Sequence, residues 1–171
     1  MATARTSFEV EPAPLFASML EDLHQAHRRL FGEMANMDAL TQQPNVEWPS
    51  LCAARWRISE ASLARRSLAA RITDHLLLRA DGAEAAALKS LQAADQSMLR
   101  TSARHVSAWP IGAIQGDWRG YCRASRELRA QMEEFLRTEQ RVLLPILQRA
   151  SASRPLRDVR ALADPRIALR R

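Results

Sequence analysis

The chain has 171 residues, 47% of them hydrophobic and 26% charged, which suits one globular domain able to bury a core without disulfides or a structural metal. Few aromatics (5%) and only 5 glycines argue against a many-turned β-fold, and the density of Leu, Ile, Val and Met argues against disorder. Lys and Arg outnumber Asp and Glu by 25 to 19, a formal net charge of +6, but six of the arginines lie in residues 151–171 and the rest are scattered, so a nucleic-acid partner is not expected.

Residues 1–14 read as an N-terminal arm without the apolar run of a signal peptide. Helix one is predicted from Leu15 to Leu40, with an apolar stripe of Leu20, Leu23, His27, Leu30, Met34 and Met37 at spacings of three and four. Pro44, Asn45 and Pro49 break the chain, Ser50 reads as the N-cap of helix two, and that helix is predicted to reach Arg79 before the Asp81-Gly82 turn. Helix three follows from Ala83 to Trp109, with Leu88, Leu91, Met98 and His105 on one face. Residues 110–117 read as a loop, with Asp117 placed to cap helix four. Helix four carries Leu128, Met132, Phe135, Glu139, Val142 and Ile146 on one face, and Pro145 is expected to kink or end its last turn.

Residues 15–150 therefore form the predicted all-α domain: four amphipathic rods of about 37–50 Å, which pack best as an antiparallel up-down bundle. Residues 151–171, interrupted by Pro155 and Pro165, read as a basic C-terminal tail. No run of about 18 apolar residues occurs, so no membrane span is predicted and a cytoplasmic location is expected. Cys52 and Cys122 are far apart and form no CxxC pattern, so they read as reduced thiols. Trp48, Trp56, Trp109 and Trp118 bracket the first and third loops and read as seals on the bundle ends. Nucleotide-binding and hydrolase motifs are missing from the sequence, and no enzyme activity is expected.

The informative residues are polar ones on apolar faces. Glu139 is flanked by Met132, Phe135, Val142 and Ile146, and a lone buried carboxylate needs a metal, a cation or a proton. His27, His75 and His105 lie on the faces of helices one, two and three, and Arg79 follows His75 by one turn. Any one of these histidines is ordinarily a satisfied core residue. One polar group on each of four helices points to an interior site, since inward imidazoles and carboxylates are how bundles bind transition metals.

The order and spacing of these residues resemble the hemerythrin-like (HHE cation-binding) family, four-helix bundles that hold a non-haem di-iron centre. That family has a histidine on the first helix, H-x-x-x-E on the second, a histidine on the third, and H-x-x-x-E with a terminal L-F-P-like element on the fourth. The matching segments are AHRRL with His27, DHLLLR with His75, ARHVSAW with His105, and FLRTEQRVLLP with Glu139 and Leu144-Pro145. Two positions depart from the pattern: Arg79 stands where a glutamate belongs, and Phe135 where a histidine belongs.

The resemblance thus implies a degenerate site with four of six ligands left, too few donors and bridges for two irons. A direct Arg79–Glu139 pair would satisfy both charges without metal, and this metal-free reading is placed first. The alternative is a single iron or zinc ion held by His27, His75, His105 and Glu139, opposed by the fixed Arg79 cation. His24, three residues before His27, leaves open which histidine turns inward. The functional expectation is a metal-free regulatory or protein-interaction module with a protein partner, a homodimer being one form of it. The alternative is a metal-binding sensor or storage protein.

Overall fold

The computed structural model describes residues 13–152. The expected N-terminal arm, apart from residues 13 and 14, and the basic tail beyond residue 152 lie outside the described residues. Those described are helical apart from short connections: α1 (Ala13–Thr41), α2 (Trp48–Leu77), α3 (Gly82–Ala108), α4 (Ile111–Gly116) and α5 (Trp118–Ala152). No helix among them is long and apolar enough to cross a membrane.

The helix ends follow from local chemistry, with three departures from the predicted elements. Glu47, and not Ser50, caps α2: its carboxylate accepts from the Ser50 backbone N–H at 2.8 Å, while Pro49 occupies the first turn, where no donor is needed. Residues 111–116 form a short helix instead of a loop, anchored by the buried Ile114. Pro145 does not end α5, because it and Arg141, whose carbonyl loses its donor, both lie on the exposed face. Asp81 and Asp117 cap α3 and α5 by accepting from the N–H groups of Glu84 and Gly120, each at 2.8 Å. A β-carbon at Gly120 would come within 2.0 Å of the Asp117 carboxylate, so glycine makes room for that cap.

Neighbouring helices are joined by contacts that step in opposite directions along the sequence. Arg29–Glu60 and Glu33–Arg57 set α1 against α2, His27–Glu139 and Asp38–Arg129 set α1 against α5, and Arg149–Glu84 and His105–Tyr121 set α3 against α5. The apolar core fills three levels. Phe16, Leu23, Ile72, Leu88 and Leu143 occupy one end, Leu30, Ala61 and Leu136 the middle, and Leu51, Ile114 and Tyr121 the other end. On α5 the most buried line is Tyr121, Ser125, Arg129, Met132, Leu136, Glu139, Leu143 and Leu147. Phe135, Val142 and Ile146 are half-buried beside it. Trp48, Trp109 and Trp118 do pack around the Tyr121 end, but Trp56 is 72% exposed.

Candidate functional site

One level of the molecule gathers charged and polar side chains from four helices. His27 of α1 and Glu139 of α5 are each 1% exposed and meet at 2.7 Å, Nε2 to Oε1, with the imidazole N–H donating to the carboxylate. Arg65 of α2, 3% exposed, donates from Nη1 to the other carboxylate oxygen of Glu139 and from Nη2 to Asp95 of α3 at 2.7 Å. Arg66 Nε reaches the second oxygen of Asp95 at 3.0 Å, and the Arg65 guanidinium lies 5.2 Å from the centre of the Phe135 ring. The chain His27–Glu139–Arg65–Asp95–Arg66 thus crosses the interior, with each carboxylate facing at least one cation.

Of the residues singled out in the sequence, His27, Phe135 and Glu139 belong to this level; His75, His105 and Arg79 do not. His75 lies ten residues beyond Arg65 on α2, and His105 ten residues beyond Asp95 on α3, each about 15 Å along its helix. Because α2 and α3 run in opposite directions, the two histidines sit toward opposite ends. Arg79 lies on an exposed position past the end of α2, its guanidinium 4.9 Å from the centre of the Phe16 ring. The expected Arg79–Glu139 pair is therefore corrected: the cation on Glu139 is Arg65. His27 is the inward histidine, and His24 is only half-buried.

Arg65 and Asp95 were missed in the sequence, although a signal exists for both. The line Ala54, Ile58, Ala61, Arg65, Ala69, Ile72 and Leu76 places Arg65 on the apolar face of α2, and Leu88, Leu91, Asp95 and Met98 do the same for Asp95. Alanine-rich spacing hides the stripe on α2.

A metal does not fit this level as built. No group of three or more His, Cys, Asp or Glu side chains suited to a metal exists among the described residues. Both oxygens of Glu139 are engaged, one of them by a fixed guanidinium that would repel a dication. The buried His27 Nδ1 and Arg65 Nε have no hydrogen-bond partner among the described residues, but a single imidazole nitrogen facing away from the carboxylate is not a donor set.

Toward the Tyr121 end, residues of α2 and α3 line a cleft of about 850 Å³. Tyr121, Ser125 and Arg129 form its floor, and Arg55 and His105 stand on its walls. Arg129 is held by Ser125 Oγ at 2.6 Å, Asp38 Oδ1 at 2.8 Å and Thr41 Oγ1 at 2.9 Å. Arg55 donates to the Trp109 carbonyl at 2.9 Å and lies 5.7 Å from the centre of the Tyr121 ring. Burial, with Arg55 and Arg129 nearby, lowers the pKa of His105, and burial raises that of Tyr121. Compared with family models, curated proteins and solved structures, the chain matches none.

Proposed function

We propose that this chain is a hemerythrin-like, antiparallel up-down four-helix bundle whose metal site has degenerated beyond the Arg79 and Phe135 positions, since His75 and His105 also lie off the level of Glu139, and that it works as a metal-free protein-interaction module without catalytic activity. The observation that carries this reading is the occupation of Glu139, the surviving carboxylate, by Arg65 and His27. A guanidinium at the level where a metal would sit supplies the compensating positive charge itself. The antiparallel contacts of α1 with α2 and α5, and of α3 with α5, support the bundle.

The test is elemental analysis of tag-free protein purified anaerobically with iron and zinc supplied. The expected result is less than a tenth of an equivalent of either metal; one tightly bound equivalent overturns the metal-free reading and favours the sensor or storage alternative. Arg65→Glu with Phe135→His places a carboxylate and an imidazole beside His27, Asp95 and Glu139, and is expected to create divalent-metal uptake. Arg79→Glu with Phe135→His is not, because Arg79 lies outside that level.

A further inference from the structure

The cleft between α2 and α3 has walls of unusual chemistry. Trp56 and Leu63 stand seven residues apart on α2, 72% and 68% exposed, and Leu99 and Val106 stand seven apart on α3, 42% and 54% exposed. Two apolar ridges two helical turns long thus face each other across the opening, with Ile111 of α4, 54% exposed, at one end. Large apolar side chains left this exposed along one groove mark a binding surface more than a packing fault.

The charge around the groove selects the partner. Among the described residues the cleft is lined by Arg55, Arg66, Arg129 and His105 and by no Asp or Glu. Of the nine arginines in residues 50–66 and 96–126, Arg57, Arg65 and Arg66 are paired with Glu33, Glu139 and Asp95 from other segments, and Arg55, Arg100, Arg104, Arg119, Arg123 and Arg126 stand against Glu60 and Asp117. Burial, and after it the charges of Arg55 and Arg129, lowers the pKa of His105 on the cleft wall.

We infer that the α2–α3 cleft is a docking groove for an amphipathic helix of a partner protein, one with an apolar stripe flanked by Asp and Glu. The spacing of Trp56–Leu63 and Leu99–Val106 matches the i, i+3, i+4, i+7 anchors of a helix laid between two helices, and the arginines meet its acidic flanks. Leu63, Leu99, Val106 and Ile111 suit aliphatic anchors, and Trp56 is the one exposed aromatic among the described lining residues, so the groove offers a nucleic-acid strand a single stacking platform and not a row of them. A second copy of this chain presenting the same cleft would set arginine against arginine. The inference rests on the interaction-module reading and names its surface and partner chemistry.

The experiment is selection of a displayed library of helical peptides of about five turns on the full chain. A recovered peptide is then synthesised, labelled and titrated by anisotropy. The expected result is a consensus of apolar i, i+4, i+7 positions flanked by Asp and Glu, with affinity falling about tenfold or more in Trp56→Ser and in Leu99→Ser. Both variants keep the parent melting temperature to within about 2 °C, because the side chains are exposed. Failure to enrich any sequence, enrichment of basic or charge-indifferent peptides, or affinity unmoved by the two substitutions overturns the inference. So does tighter binding of a labelled single-stranded oligonucleotide than of the peptide. Metal content measured on the same preparation separates the two conclusions. Bound metal with acidic helices recovered overturns the metal-free reading alone; metal-free protein whose binders ignore the cleft substitutions overturns the groove alone.

Discussion

Arg65 is the residue on which the interior depends. Its guanidinium is 3% exposed and joins Glu139 to Asp95, so removing it leaves a carboxylate that is 1% exposed with only His27. Breaking one side of such a buried pair costs about 3–5 kcal/mol. At roughly 2–4 °C per kcal/mol for a domain of this size, Arg65→Met should lower the melting temperature by on the order of 10 °C. Glu139→Gln should act in the same direction. Arg65→Met combined with Glu139→Met should recover a substantial part of the loss, because the costly state is the unmatched charge and Asp95 keeps Arg66. Arg79→Met, by contrast, changes an exposed guanidinium over Phe16 and should cost about 1 kcal/mol or less. Thermal melts of the four variants decide the matter: equal losses at Arg65 and Arg79 would show that the interior pair has been assigned to the wrong arginine.

At the scale of the element, two helices carry a conflict between local chemistry and tertiary position. His105 lies in the last turn of α3, where the helix dipole favours a cation, yet burial and the neighbouring Arg55 and Arg129 lower its pKa from the ordinary 6.5. The unfolded chain therefore binds a proton at His105 more readily than the folded one. The sign follows: this contribution to stability is complete above about pH 6.5 and is lost as pH falls from there through the lower, folded-state value. His105→Phe should flatten that part of the stability–pH curve, measured by urea melts between about pH 5 and 7.5; an unchanged slope would remove His105 from the account. Pro145 is the second conflict, since α5 passes through it without a donor for the Arg141 carbonyl. Pro145→Ala should restore that hydrogen bond and stabilise the protein by up to about 3 kcal/mol. The helices themselves were legible because the 3.6-residue period and the Asp81 and Asp117 caps are written in neighbouring residues. Glu139 was legible as a buried charge for the same reason. Its partner was not, because which residue of α2 faces it depends on the axial register between two helices, and the DHLLLR segment drew attention ten residues away from Arg65.

For the whole molecule, the distribution of charge matters more than its total. The formal net charge is +6, and once Arg57, Arg65 and Arg66 are matched with Glu33, Glu139 and Asp95, residues 50–66 and 96–126 still hold six arginines and two carboxylates, so the Tyr121 end is a positive pole beside exposed apolar side chains. These two properties oppose each other in self-association. The apolar ridges favour joining two copies at the cleft, with Trp56 and Leu63 as the largest gains in buried area. Like charge opposes it, and that opposition reaches about 10 Å at 0.1 M salt but only about 3 Å at 1 M. Repulsion therefore dominates at low ionic strength and fades as salt rises, while the apolar attraction persists. Sedimentation velocity should show a monomer below about 0.1 M salt and increasing self-association toward 1 M. Arg104→Glu, a change at an exposed position of α3 beside the cleft, should move that onset to lower salt. Trp56→Ser should suppress it at every salt concentration. A dimer that is tightest at low salt and dissolves as salt is raised would mean that ion pairs, not the cleft, join the copies, and would locate self-association on a different face of the molecule.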